Sequence, residues 1–545
     1  MMTDSLRMQG PIRRLVILLI IIAASLQAFR ISTTRSTTGE TPFHSANDRS
    51  RWCTVASLGG QGTYEIDNFV NIRDPKTKRR TWYTIDMVRH RGSDGKQHYY
   101  SSKPPLLSTL HATAYAAIRL TTGFSLVKQP FTSARLVLFA VNWLPLILFW
   151  VLWVRYWYRH GQRGWSLAIL MLFLFFGTFT TTFANTLNNH LPGVLFAGVA
   201  LWSVLKVLEE GNDRLRYFAT AGFCGAMTAA CELPALSWCG LVGLLLFAYY
   251  PRKAILGFSL GALPVAAGFV ATNIAAHGDL RPPYAHRDVG RLIATVPLSD
   301  MKTADSLDPQ KIRAVLEKEH FKVSTAAVIG KTRTEGVQDL WDEDSQYRFA
   351  LIATDKELKI HDWDDWYDYP GSYWYPDSKK GIDQGEPSIA MYTFHATIGH
   401  HGIISLTPFW LLVPVGLIAV CLRSNQATTS PLTTPSQADH VDAPRRRCMI
   451  AVAIMTATLV CFVFYMLRPL EDRNYGGVSC GFRWMFWFTP LWLWLCGFAL
   501  SSIRSGWLRR LVELALIASI FSATFPWSNP WTHPWIWQLA EKLGA

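Results

Sequence analysis

A chain of 545 residues, 50% of them hydrophobic, 13% aromatic and only 17% charged, carries more apolar material than one soluble core needs, which excludes a single water-soluble domain. The formal charge of +14 does not indicate a nucleic-acid binder, because the basic residues recur in short connectors between apolar blocks rather than in one patch. No zinc-type spacing exists among the nine cysteines; only Cys53 and Cys480 fall in polar loops, where a disulfide between them is open.

About eleven apolar stretches are long enough to cross a bilayer. The fold expected is an all-α polytopic membrane protein with about eleven transmembrane helices, external juxtamembrane helices and a small α+β external subdomain. Arg13 and Arg14 precede the apolar run 15–29, and no convincing small-residue cleavage site follows, so 1–30 reads as an uncleaved first span with its N-terminus inside. Residues 31–132 then form a first external loop. In it, Asn47 or Asp48 is the expected N-cap of a short helix whose Trp52, Val55 and Leu58 share one face along the membrane. Asp48 there is either a cap or a chemical group. Asp67 and Asp86 add carboxylates in irregular or short β segments. The stretch His98-Tyr-Tyr-Ser-Ser-Lys-Pro-Pro-Leu-Leu107 follows. Pro104 and Pro105 fix φ and remove two backbone donors, so Lys103 is presented at a bend before a surface helix over 106–120. Such a bend is either an ordinary turn or a holder for an anion.

Residues 133–276 read as a bundle of spans with basic connectors, 155–163 and 206–216, placed inside. Asn188, Asn189 and His190 lie between two spans, where polar side chains are functional suspects by default; capping by Asn189 explains one of them. Glu232 falls at the outer turn of a tight helical hairpin, to bind a cation, pair with a lysine or be solvated.

Residues 277–400 form the external subdomain, with a helix from Asp308-Pro309 through Glu319 and a hairpin, 347–352 with 357–360, around Thr354-Asp355-Lys356. The alternating carboxylates and rings of 361–375 suit either sugar recognition or an interface with lipid headgroups. His395, His400 and His401 are metal ligands or interfacial polar groups; no HExxH pattern is present. The last transmembrane helices fall in 401–525, interrupted by a Thr-, Ser- and Pro-rich connector at 423–447 that reads as a flexible inner linker. An external loop, 468–483, carries Arg473 and Arg483 as forked donors suited to phosphate, among glycines that permit close backbone approach. A Trp-rich tail, 526–545, ends the chain outside.

An external loop that opens with an Asp and an amphipathic helix, followed some fifty residues later by Tyr-Tyr-Ser-Ser-Lys-Pro-Pro-Leu-Leu, resembles the polytopic GT-C glycosyltransferases of the aminoarabinose transferase and protein mannosyltransferase type. The sharp likeness covers 46–110. The resemblance implies an enzyme of the inner, multi-pass cell membrane that takes a sugar from a polyprenyl-phosphate donor and passes it to a lipid, glycan or protein acceptor on the non-cytoplasmic, periplasmic face. Membrane lipid is a partner and nucleic acid is not. Asp48 matches the family's first-loop acidic residue and Lys103 its Lys-Pro-Pro lysine; both are expected to be catalytic. Where the family often has two further acidic residues, this chain has Arg49 and Ser102, so Glu232, Asp67 or Asp86 would supply the missing carboxylate. Cofactor need stays open between a divalent cation and none. The substrate-binding set expected is Asp67, Asp86, Tyr100, Asn188, Asn189, His190, Glu232, His400, His401, Arg473 and Arg483, around one pocket with the catalytic pair. The rival readings are a transporter or flippase of a lipid-linked glycan and an inactive scaffold. Transporters of this kind usually show internal repeats and ionisable residues at mid-membrane, and neither is evident here.

Overall fold

Seven helices are long and apolar enough to cross a membrane among the described residues of the computed structural model, which are 10–303, 306–428 and 435–544. They are Gly10–Ser32, Pro130–Arg159, Gly164–Asn185, His190–Leu208, Pro251–His277, Ala443–Met466 and Arg483–Ser502. Each of the expected spans coincides with a helix, but four fall short of that standard. Leu233–Tyr249 and Pro408–Ser424 are apolar but short. Leu215–Cys231 has 17 residues, and Gly506–Thr524 carries Arg509, Arg510 and Glu513 in its first two turns.

The connector at 423–447 is a correction. Helices Leu412–Thr428 and Pro435–Met466 run into it from both sides. Once a helix is nucleated in an apolar span, each added residue gains a hydrogen bond for little further ordering, so polar flanks follow. Residues 429–434 of the expected linker lie outside the described residues.

The chain divides into two units. The larger contains 1–44, 117–268 and 381–545. Its centre is His190–Leu208, apolar on every side and buried almost all round, as such a helix must be. Leu215–Cys231 packs along it, and the core is rich in indoles, with Trp150, Trp153, Trp157, Trp487 and Trp494 enclosed. Buried Arg30 ends the first helix by donating to the Thr181 carbonyl (2.6 Å) and the Thr182 carbonyl (2.9 Å), so its charge is held by backbone dipoles.

The smaller unit contains 45–116 and 269–380. It holds an antiparallel hairpin, β1 (Met87–Arg91) with β2 (Gln97–Ser101), and a helix, Pro105–Thr122, that begins in it. Beyond these come β3 (Arg287–Pro297), the two-residue pair β4 (Lys302–Thr303) and β5 (Ser306–Leu307), β6 (Val328–Lys331), β7 (Val337–Trp341), β8 (Arg348–Ala353) and β9 (Glu357–Asp365). The five longer strands form one antiparallel sheet in the order β3-β9-β8-β7-β6. The expected hairpin is present as β8–β9, with Ala353 opposite Leu358. The expected helix is Pro309–Lys318, capped by Asp308, which accepts the Gln310 N–H. Its Ile312 and Leu316 pack on Leu340, Phe349, Leu351, Leu358 and Ile360, which alternate along β7, β8 and β9 onto one sheet face.

The acidic–aromatic stretch 361–375 has a structural use that its composition hides. Asp364 pairs with His286 and Arg281, Asp365 with Arg333, and Asp368 with Arg348. Trp366 stacks on His286 with centroids 3.4 Å apart.

Candidate functional site

The helix Ala46–Gln61 starts at Ser45, whose hydroxyl accepts the Asp48 N–H at 3.1 Å. The cap is therefore Ser45, where Asn47 or Asp48 was expected. A serine three residues before the carboxylate satisfies an end N–H and places Asp48 in the first turn, where the helix dipole favours negative charge. Asp48 is wholly buried. Hydroxyl groups fasten this turn to the strand ends. Ser50 Oγ donates to the Asp86 carbonyl (2.5 Å) and lies 2.6 Å from Ser101 Oγ, while Thr84 Oγ1 donates to the Ala46 carbonyl (2.6 Å). Because the single Ser50 hydrogen goes to that carbonyl, Ser101 is the donor between the two serines, leaving its oxygen to accept the Lys103 N–H (3.2 Å).

Lys103 Nζ stands 3.1 Å from Asp86 Oδ2, with the two side chains 20% and 12% exposed. Asp86 is thus the carboxylate found at the lysine. Burial pulls the Arg49 guanidinium below its ordinary value, and the charges of Asp48 and Asp86 oppose that pull, so Arg49 feels both carboxylates. Ser50, Thr84 and Ser101 were not singled out from the sequence. The signal available was the Ser101-Ser102 doublet immediately before Lys103.

Asp67 and Tyr100 shape the hairpin that leads to Lys103. Both Asp67 oxygens accept the Tyr99 N–H (3.3 and 3.2 Å), and Asp67 lies 3.4 Å from His98, which also reaches Asp94 at 3.2 Å. Burial lowers the His98 pKa, but its Asp94 hydrogen bond and the charges of Glu65 and Asp67 outweigh that and raise it. Tyr100 is buried and stacks on His90 at 4.2 Å.

A second polar cluster lies in the larger unit. Arg483 Nη1 donates to His190 Nε2 (2.6 Å), and His190 Nδ1 lies 2.6 Å from Glu232 Oε1. A guanidinium only donates, so Nε2 is the acceptor, the proton is on Nδ1, and the imidazole is neutral and donates to Glu232. Asn189 Nδ2 donates to the same Glu232 oxygen (2.7 Å) and to the Cys231 carbonyl (3.1 Å). Asn189 stands at the N-cap position of the following helix without a side-chain cap bond, which Asn188 supplies instead: its Oδ1 accepts the Leu191 N–H at 2.8 Å. Glu232 is neither solvated nor paired with a lysine but buried in this network, at 6% exposure. Arg483 Nε donates to the Gly476 carbonyl (2.5 Å), and its guanidinium lies over Trp531. Gly476 has φ +96°, and a Cβ there would fall 2.5 Å from Arg483 Nε, so only glycine fits. Arg473 donates instead to the Pro387 carbonyl (2.8 Å) and ties down that loop.

His400 and His401 meet through their Nδ1 atoms at 2.5 Å, with His395 stacked on His400 and Tyr475 on His401. Burial, reinforced by neighbouring histidines, lowers the pKa of His400 to about 3 and that of His401 well below the usual range. Among the described residues, no group of three or more His, Cys, Asp or Glu side chains is arranged to hold a metal ion. Cys53 and Cys480 are both free, buried thiols, so the disulfide left open between them is not formed.

These features define a multi-pass helical membrane protein whose smaller unit presents a lysine–carboxylate pair on a sheet-bearing scaffold. Neither a protein-family model nor a curated protein sequence matches the chain. Among solved structures, it is similar to the S. cerevisiae protein O-mannosyltransferase Pmt1–Pmt2 complex bound to the sugar donor, at 11% identity and a TM-score of 0.44, over 97% of this chain and 91% of that one.

Proposed function

We propose that this protein is an integral-membrane glycosyltransferase that moves a sugar from a polyprenyl-phosphate carrier to a hydroxyl of a lipid, glycan or protein acceptor on the non-cytoplasmic face. The observation that carries the reading is the largely buried Lys103–Asp86 pair, fastened by Ser50 and Ser101 to the helix turn that bears Asp48. A phosphate leaving group needs a cation fixed before charge develops, and Lys103 has its bend and its partner already in place. The acceptor oxygen bonds to the anomeric carbon while the bond from that carbon to the carrier phosphate breaks, its electron pair going to phosphate. Asp48 takes the acceptor proton as general base. One displacement inverts the anomeric centre. Asp86 orients the ammonium.

The test is transfer from a carrier-linked sugar in membranes carrying the protein. Asp48→Asn and Lys103→Ala are each expected to lower turnover by about a hundredfold or more with protein level unchanged. Full activity in either variant rejects that residue's role, and flux of labelled carrier without covalent transfer rejects the enzyme.

A further inference from the structure

The sheet of the smaller unit has two faces, and only one is explained by its core. Alternation that sends Leu340, Phe349 and Ile360 under helix Pro309–Lys318 sends Asp339, Trp341, Arg348 and Trp363 to the opposite face. Those four residues form the floor of a cavity of about 480 Å³, within the range of about 300–1,000 Å³ typical of small-ligand sites. Tyr369 and Tyr375 stand on one side of it, Arg89 and Gln97 from the β1–β2 hairpin on another, and Glu343 and Gln346 on a third.

The floor is built and held. Arg348 lies 3.6 Å over the Trp363 ring and donates to Asp339 (2.6 Å) and Asp368 (2.9 Å), and Tyr375 donates to Asp368 (2.7 Å). Gly330 sits beneath Asp339, where a Cβ would meet Oδ1 at 2.6 Å. Other groups are left for a ligand. Trp341 is half-buried, Arg89 Nε is buried without a partner, and Glu343 is exposed. The cations at the cavity, Arg89, Lys331 and Arg348, are equalled in number by the carboxylates Asp339, Glu343 and Asp368. A neutral ligand therefore suits it better than an ion.

We infer that this cavity binds a neutral oligosaccharide, one pyranose lying flat on Trp341 with its hydroxyls held by Glu343, Gln97 and Arg89. Indole faces pack against the apolar C–H face of a sugar, while carboxylates, amides and guanidinium groups meet its hydroxyl rim. A second cavity, of about 920 Å³, shares Gln97, Glu343 and Gln346 with the first and gives a longer glycan somewhere to continue. The binding needs no turnover, so it stands or falls apart from the transferase reading.

The experiment uses the full chain in lipid nanodiscs, since sugar-headed detergents would compete. Saturation-transfer NMR is recorded with α-1,2-mannobiose, maltose, lactose and N,N′-diacetylchitobiose, with inorganic phosphate as the anionic control. At least one disaccharide is expected to bind with a Kd below about 10 mM, weakened about tenfold in Trp341→Ala and in Glu343→Ala, and undiminished in Asp48→Asn. Three outcomes would overturn the inference: none of the four disaccharides binds, binding persists undiminished in both cavity variants, or only phosphate binds and is lost in Arg89→Gln.

Discussion

His190 lies between a permanent cation and a carboxylate, and removing either neighbour has a definite cost. In Glu232→Ala the Nδ1 proton loses its acceptor and Arg483 keeps its charge without the carboxylate beyond the ring. Losing one partner of a buried charge network costs about 3–5 kcal/mol. Glu232→Gln keeps an acceptor for the ring and is expected to recover part of that. Thermal unfolding in nanodiscs, read by tryptophan fluorescence, gives the order wild type, Gln, Ala; equal midpoints for Ala and wild type would show that the network contributes nothing. At this scale the sequence showed which side chains were suspect and hid their partners. His190 and Arg483 are 293 residues apart, and no periodicity connects them. Asp86 was one of three carboxylates offered for the place near Lys103, and only the fold of the hairpin chooses it.

Helices and strands were legible where their signals are local. Asp308-Pro309 gives a cap and a first-turn proline, and Thr354-Asp355-Lys356 turns β8 into β9, so both were readable. β3 was not, because it pairs with a strand some 70 residues on and carries two irregularities between Val289 and Ala294. The cap of Ala46–Gln61 was misplaced by two or three residues because several good capping types stand in a row there. Ser45→Ala is therefore expected to cost about 1 kcal/mol and Asn47→Ala much less, as measured by chemical denaturation followed by far-UV circular dichroism. The sheet offers a sharper case. Arg348 serves Asp339 and Asp368, both buried. In Arg348→Met two carboxylates are left without their cation, for a loss of about 3–5 kcal/mol. If limited proteolysis of the 277–380 region proceeds at the wild-type rate in that variant, the pair is not structural.

Across the whole molecule, titration is expected to set the acid limit of stability, and histidines set it first. Burial is the main cause that lowers the pKa of His44 and His90 to about 4 and of His111 and His400 to about 3, against 6.5 in an unfolded chain. A base whose folded pKa is depressed is held neutral by folding, so its contribution is whole above pH 6.5 and falls as pH drops from there toward 4 and 3. His98 has the opposite sign, since its raised pKa gives stability at low pH that is lost as pH rises through its folded value. One raised histidine does not cancel the lowered ones. Carboxylates with lowered pKa, such as Asp342, lose their contribution only as pH falls below about 3.8. The interval between pH 6.5 and 5 thus belongs to the buried histidines. The thermal midpoint in nanodiscs is expected to fall steadily across it, and to fall less in His111→Leu, which replaces a wholly buried imidazole with an unpartnered Nδ1 by a side chain that cannot be protonated. A midpoint flat from pH 7.5 to 5, or an identical slope in the variant, would show that these imidazoles are not what acid attacks, and the loss would have to begin with the carboxylate pairs at lower pH.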